Sequence, residues 1–505
     1  MASQPLKVLF ISAEVTPFSS VGGLSQVAYF LPKALKKQNV DIRVFTPKYG
    51  IINSALLQTK DVIQGLQVPT GEDEHSSHPQ DLICNVKVLK TPKNGDPIIY
   101  FLENMEYYEK RANVYNYSDD HIRFGLLSRA AIEFIKHGDF VPDIIHVNDW
   151  HTGYLTNYLK NAYKDDQKLQ QIATVFSIHN LYQGVFDFDH ASEMDFDDGK
   201  GDLAPFFTDR FFKQNALKRG VIYADLVNTV SQTYSRELLT ETYAPKLHNL
   251  FRELRSKFFG ALNGLDYVNF DPQKDSMIKR NYSRSNLALR QENKIDLQKD
   301  LNLEVSPQTP LLAIVGRLDD QKGLDLVMET IDFILSEFKV QLVVCGPGDN
   351  KYRDFFLELE KDHCGMVGTQ LMFDATLPRK IYAGADMLLI PSRYEPGGIV
   401  ALEALRYGCV PIVRATGGLA DSVVDYDPTQ STGTGFSFKT YSPMSFLATV
   451  VRALEAYKEK DKWQKIIKRG MEQDFSWDKS AQKYLDLYQR AIEFHSDKTE
   501  STYET

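Results

Sequence analysis

The sequence predicts an α/β fold of two doubly wound parallel-sheet domains facing a central cleft. Three observations predict it. Short apolar, β-branched runs alternate with amphipathic helical stretches along the chain, the rhythm of parallel strands covered by helices. The 505 residues exceed what one hydrophobic core usually serves, so two domains are expected. A polar, strand-poor segment from about Asp266 to Pro310 divides the runs into two sets.

In the first set the strand candidates are 7–12, 40–46, 97–102, 143–148, 172–178 and 225–230. In the second they are 311–316, 340–345, 369–373, 386–391, 409–413 and 434–438. The domain scheme is therefore 1–265 for an N-terminal domain, 266–305 for the crossover and 306–480 for a C-terminal domain. Residues 481–495 are expected to form a terminal helix returning to the N-terminal domain, and 496–505 a frayed tail. The stretch 70–80, TGEDEHSSHPQ, is expected to be a polar surface loop. No repeat of solenoid period is visible.

Composition excludes several functions. Hydrophobic residues make up 43% and charged residues 25%, ordinary for a globular protein. A net charge of −9 argues against a nucleic-acid partner, which would need a basic face. Cys84, Cys345, Cys364 and Cys409 form no C-x2-C pair, so no metal site is expected; free thiols suit a reducing cytosol. The strand-like Lys7–Ile11 follows the N-terminus almost directly, which leaves no room for a secretory leader, and no run approaches a membrane span. A cytoplasmic protein with no membrane partner is the expectation.

Ligands of open parallel sheets bind beyond the carboxyl ends of the strands, so the residues after each strand are the candidates. After the first strand, SAEVTPFSSVGGL places Gly22 and Gly23 at a strand-to-helix junction, where backbone N–H groups can approach a phosphate or sugar; a tight turn explains a lone glycine pair equally simply. The pattern G-x-G-x-x-G is absent from that loop, which removes the main support for a nicotinamide cofactor. After Asp143–Ile145 comes HVNDWHTG, residues 146–153. There Trp150 either stacks on a sugar or packs, and His151 either bonds a hydroxyl or lines the core edge. After 172–178, Ser177, His179 and Asn180 lead into Leu181–Gly184, a set suited to a polyhydroxylated ligand or to loop capping.

The second set of strands carries charge. Arg317 and Lys322 in GRLDDQKG follow strand 311–316 and can aim at one point, a planar fork and a point charge suited to a diphosphate. The plainer reading is a solvated loop, and the strand-end position weighs against it. Arg393–Glu403 reads RYEPGGIVALE. Glu395 precedes a helix with Pro396 in its first turn, and Glu403 lies about two turns further on. After 409–413, Thr416, Gly417 and Gly418 open another helix and offer further N–H donors.

These motifs together resemble the bacterial, archaeal and plant glycogen/starch synthases. The resemblance runs from KVLFISAEVTPF to DFSWDKSAQKYLDLY. It rests on GRLDDQKGLDL, ADLVNTVSQTYSREL, ALNGLDY, YSDDHIRFGLL and RATGGLADSV with the closing FSWDKSA. It implies the two-Rossmann GT-B fold, with an acceptor-side N-terminal domain and a nucleotide-sugar-binding C-terminal domain. It implies a retaining hexosyltransferase moving glucose from ADP-glucose, or UDP-glucose, to the non-reducing end of an α-1,4-glucan, with no cofactor and no metal. By residue, it implies a diphosphate clamp at Arg317 and Lys322, and Glu395 at the sugar hydroxyls and leaving group. His151 would stand beside the transferred glucose and Asp119 near the reacting sugar. Gly22, Gly23 and Asn228, with Gly397, Gly398, Glu403, Thr416, Gly417 and Gly418, would complete the donor side.

The chain departs from the pattern as a divergent member. Ser20 stands where the family has Lys and Val21 where it has Thr. Ser25–Gln26–Val27 replaces Ala-Asp-Val, Gly397 replaces the Cys of Glu-Pro-Cys-Gly, and the His-Asn-Leu-x-Tyr-Gln-Gly segment is one residue short. The lost cation and anion of the first loop bear on donor preference and acceptor contacts. Retention commonly signals a covalent intermediate, yet no nucleophile stands out; the resemblance implies same-face attack, with the departing phosphate taking the acceptor's proton. Three other readings stay open: the same fold acting on another acceptor, a phosphorylase-like enzyme needing a pyridoxal-phosphate lysine, and a catalytically dead glucan-binding protein.

Overall fold

The computed structural model describes residues 4–52, 57–90, 95–181 and 197–503, with side chains described as far as 497. The chain divides into two compact units. The first comprises 1–230, 235–264 and 477–505, the second 231–234 and 265–476.

Among the described residues, the first unit is built on a nine-stranded sheet of β1 (Lys7–Ile11), β2 (Asp41–Pro47), β3 (Thr59–Pro69), β4 (Asp81–Leu89), β5 (Ile98–Glu103), β6 (Ile144–Asn148), β7 (Ala173–Ile178), β8 (Leu226–Thr229) and β9 (Phe258–Gly260). Their order is β3-β4-β5-β2-β1-β6-β7-β8-β9. The central strands are parallel. Every residue of β6, β7 and β8 is buried, as expected for strands covered on both faces. The antiparallel hairpin β3–β4 joins antiparallel to β5, so this sheet is mixed where a purely parallel one was expected. The hairpin escapes a pattern reading because register shifts between Asp61 and Leu66 break the alternation, and most of β3 is exposed. Residues 70–80 form its turn.

The second unit carries a six-stranded, wholly parallel sheet: β10 (Leu311–Val315), β11 (Gln341–Cys345), β12 (Val367–Gln370), β13 (Met387–Ile390), β14 (Val410–Arg414) and β15 (Phe436–Phe438). The order is β12-β11-β10-β13-β14-β15. Strand β12 ends at Gln370, so Met372 and Phe373, expected inside a strand, lie in the loop beyond it and are exposed.

The segment 266–305, expected as a crossover, packs as part of the second unit. Its helix Arg290–Asp300 lies so close to the helix Leu377–Gly384 that a Cβ on Gly384 would stand 2.8 Å from the Asn293 carbonyl oxygen. The terminal helix runs from Trp477 to Tyr503, longer than the expected 481–495, and takes in most of the stretch expected to fray. Tyr488 and Tyr484 explain its docking on the first unit: both are fully buried, and the Tyr488 hydroxyl lies 2.8 Å from His146 Nδ1. At its outer end His495 meets Asp225 and the Gln170 carbonyl. Among the described residues no helix is long and apolar enough to cross a membrane.

Candidate functional site

In the second unit, the loops after β10, β13 and β14 converge at the carboxyl edge of the sheet. Lys322 closes a single 3-10 turn after β10. Gly323 follows at φ +67°, and a Cβ there would stand 2.1 Å from the Pro391 carbonyl oxygen, so only glycine lets this loop lie against the end of β13. The result is a salt bridge, Lys322 Nζ to Glu395 Oε2 at 2.7 Å, with both side chains largely buried. The Ser392 hydroxyl donates to the same carboxylate oxygen at 3.1 Å. Arg317 stands apart from this pair. Its side chain is 61% exposed and rests on Asp319 at 3.3 Å and Gln321 at 3.4 Å.

The glycine pair after β14 serves a different purpose from the one its sequence suggests. A Cβ on Gly417 would stand 2.1 Å from the Glu395 carbonyl oxygen, and one on Gly418 2.2 Å from that of Gly397. The Gly418 N–H donates to the Glu395 carbonyl at 2.9 Å. The expectation that Gly418 offers an open donor is therefore corrected: its N–H is spent on the Glu395 turn, and the pair is small so that the two loops can touch. Thr416 is fully buried behind them. Gly398 begins the helix Ile399–Tyr407 at φ +63°, which turns the chain from Glu395–Gly397 into the helix. Further along, Glu403 accepts from the Tyr382 hydroxyl at 2.8 Å. Burial pushes its carboxyl up to about 7.

In the first unit the polar residues after β1 and β6 are enclosed by aromatic rings. His151 is 4% exposed. Its ring lies 4.7 Å from Tyr115, 4.7 Å from Phe124 and 4.4 Å from Trp150. Burial drives its pKa down to about 3, as it does that of His179, so both imidazoles are neutral near pH 7. The Nδ1 atoms of both are buried without a partner among the described residues. A neutral imidazole with an unused ring nitrogen suits a sugar hydroxyl. Asp119, which begins the helix Asp120–His137, pairs with Arg111 at 2.7 Å through one oxygen, and its other oxygen is buried and unpartnered among the described residues.

Two carboxylates of this unit escaped sequence reasoning. Glu14 is 2% exposed and accepts from the Val21 and Gly22 N–H groups at 2.5 and 3.2 Å, with a further bond from Tyr115. The Gly22 N–H thus braces an internal carboxylate, which corrects its expected role as a ligand donor. Gly23 opens the helix Gly23–Lys37 beside it. Asp149 is buried at φ +54° and accepts from the His179 N–H at 2.7 Å. Burial pushes Glu14 and Asp149 each up to about 7. Tyr182–Gly184, the end of the motif after β7, lie outside the described residues.

Asn228 is a third correction. It is fully buried on β8, accepts from the Ser177 hydroxyl at 2.7 Å and faces Tyr484 of the terminal helix. Ser177 in turn meets His146 at 2.6 Å. The network is enclosed and holds the helix, so the expected open position of Asn228 at the cleft is not what the structure shows.

The sequence as a whole matches known families in both units. Residues 7–253 match the model of the starch synthase catalytic domain, and 299–470 that of glycosyl transferases group 1. The glycogen synthase of Thermotoga petrophila is 41% identical over 494 residues, covering 96% of this chain and 99% of the relative. That of Desulforudis audaxviator is 38% identical, covering 98% of each. This chain belongs to the glycogen/starch synthase family. It is a glycosyltransferase. Among solved structures, the catalytic domain of starch synthase IV from Arabidopsis thaliana, bound to ADP and acarbose, is 28% identical with a TM-score of 0.82, covering 97% of this chain and all of that one. Sucrose-phosphate synthase from Thermosynechococcus elongatus, 17% identical with a TM-score of 0.57 over 96% of this chain and 98% of that one, shares the fold. The GT-B expectation is thereby met.

Two more residues of this synthase-family chain join the candidate set. Asn263, in ALNGLDY just after β9, is 6% exposed with its Oδ1 unpartnered among the described residues. The signal was in the sequence, as an amide after a strand, but β9 is three residues long and has no pattern to read. Phe373 is 83% exposed beyond β12. A bare phenyl ring at a carboxyl edge is a surface on which a planar base can stack.

Proposed function

We propose that the chain transfers glucose, with retention, from ADP-glucose or UDP-glucose to the non-reducing end of an α-1,4-glucan. The observation that carries this reading is the Lys322–Glu395 pair at the carboxyl edge of the second sheet, with the Gly417–Gly418 loop packed against its turn. An ammonium has three donors, so Lys322 can keep one on Glu395 and turn the others to an incoming diphosphate. That move offsets charge on the leaving group and leaves the Glu395 carboxylate closer to bare, facing a sugar that becomes cation-like as the bond breaks. Arg317, exposed and only loosely held, can swing onto the same phosphates. The Phe373 ring and the enclosed Glu403 are assigned to the nucleoside. His151, Asp119 and Asn263 are assigned to sugar hydroxyls, because each has a buried polar atom without a partner among the described residues. No covalent nucleophile is assigned; the departing phosphate takes the acceptor's proton.

ADP bound in the related starch synthase supports ADP-glucose as donor. The free cysteines, three of them buried, fit a reducing compartment, and the cytoplasm is the proposed location. The test is to incubate purified protein with glycogen and either ADP-glucose or UDP-glucose, and to measure released nucleotide and chain extension. Release without extension on any α-1,4-glucan would assign the fold to another acceptor. Absence of release with both donors would remove the reading.

A further inference from the structure

Arg414, the last residue of β14 and the first of RATGGLADSV, has no role assigned to it by the sequence reading. Its guanidinium donates through one nitrogen to the Ser392 carbonyl at 3.3 Å and to the neighbouring Arg393 carbonyl. A second nitrogen donates to the Lys439 carbonyl, beyond β15, at 3.3 Å. The guanidinium also lies over the Tyr441 ring, 5.4 Å from its centroid, and Arg393 lies over the same ring at 4.8 Å. Tyr441 and Arg393 both bond Asp325. From the other side, Gln321 grips the same stretch: its carbonyl accepts the Arg393 N–H at 2.8 Å, and its side chain reaches the Tyr394 carbonyl at 3.3 Å. Residues 392–394 are thus held from two sides, immediately before Glu395.

We propose that Arg414 is a positioning residue for Glu395, a planar guanidinium that fixes two consecutive peptide carbonyls through one nitrogen while its second nitrogen is anchored on Lys439, and so sets the direction in which the Ser392 hydroxyl and the Glu395 carboxylate point. Two carbonyls in a row define the orientation of the peptide between them. A rigid guanidinium can hold both while still reaching Lys439; a lysine ammonium, a single point on a flexible stem, cannot fix the same three directions. The side chain sits at the rim of the sheet, so its loss loosens the Glu395 turn and leaves the core beneath intact. Small displacements of a positioned group cost rate steeply. The inference rests on the proposed role of Glu395 at the transferred sugar.

The experiment compares Arg414→Met, Arg414→Lys and Glu395→Gln with the parent enzyme, under saturating donor and glycogen, with thermal unfolding as a folding control. The expected result is a fall in kcat of roughly thirtyfold for Arg414→Met and a smaller fall for Arg414→Lys. KM for the donor should change less than threefold and the unfolding temperature by no more than a few degrees. Added guanidinium ion, at concentrations far below those that unfold the protein, should restore part of the kcat of Arg414→Met and leave that of Glu395→Gln unchanged. A kcat within twofold of the parent in Arg414→Met, or a loss confined to KM or not restored by guanidinium, overturns the inference. If Glu395→Gln itself turns over normally, it is the role of Glu395 that fails, and that outcome is read independently of the Arg414 variants.

Discussion

The two units handle charge in opposite ways at the carboxyl edges of their sheets. In the second, Lys322 and Glu395 neutralise one another at 2.7 Å and Arg317 stays exposed. In the first, Glu14 and Asp149 are sunk with no cation bonded to either among the described residues. They are held by N–H and hydroxyl donors, and the nearby histidines are held neutral. The difference fits the proposed roles, diphosphate contacts in the second unit and sugar hydroxyls in the first. A diphosphate donor needs mobile positive charge that can be exchanged between partners. A glucan needs directional, uncharged hydrogen bonds, and a dry aromatic wall makes those stronger. Four measurements test that contrast.

The largest effect is expected at Glu395. Replacement by Gln keeps shape and removes charge, and kcat should fall at least ~100-fold with donor binding changed far less. The matched variant Glu403→Gln should cost much less, because its carboxyl, raised to about 7, is already partly protonated at neutral pH. If Glu403→Gln abolishes turnover while Glu395→Gln spares it, the two roles are exchanged.

Next come the cations. Lys322→Ala should lose at least ~2 kcal/mol of transition-state stabilisation, roughly thirtyfold in kcat/KM. Arg317→Ala should lose less, since Arg317 starts from a looser position. Equal turnover of both variants and the parent would remove the diphosphate clamp.

The buried carboxylates of the first unit make a prediction about stability. In the unfolded chain Glu14 and Asp149 titrate near the ordinary values of 4.5 and 3.8; in the fold, each is raised to about 7. Between those values the folded state binds more protons than the unfolded one. Their contribution to stability is therefore fully present below about pH 4 and is lost as pH rises towards 7. Glu14→Gln removes part of that loss, so its stability relative to the parent should improve from pH 5 to pH 8 by on the order of 1–2 kcal/mol. Urea unfolding at both pH values checks this; a relative stability that does not change with pH would mean Glu14 is ionised throughout.

The smallest effect is expected at Phe373. Removing its ring by Phe373→Ala should raise the donor KM about five- to tenfold with little change in kcat, in line with ~1 kcal/mol or slightly more for one stacked ring. Isothermal titration with ADP would give the same ratio. Unchanged ADP affinity would free Phe373 from the nucleoside.

Much of the second unit's site is legible in the amino-acid sequence. GRLDDQKG and RYEPGG lie after apolar runs that can only be strands, and the strand-end rule singles out Lys322 and Glu395. Apart from Gly22, whose partner Glu14 is local, the residues that mislead are those whose surroundings come from further along the chain. Asn228 reads as a polar residue at a strand end like the others. It is enclosed because the helix from Trp477 returns and lays Tyr484 over it. Gly418 reads as an N–H donor, and it is a spacer because the Glu395 turn occupies the space a side chain would need.

By itself the sequence determined two α/β units with parallel central strands, the loops that carry function and the residue types in them, because strand periodicity, turn glycines and charge are local properties. Only the tertiary structure decided which of those charges face water. Glu14 lies in a loop whose sequence is no more apolar than its neighbours, yet its carboxyl is raised to about 7, because the chain around Tyr115 and Asp149 closes over it. Desolvation depends on what covers a group, and for Glu14, Asp149 and Asn228 the cover comes from segments dozens to hundreds of residues away.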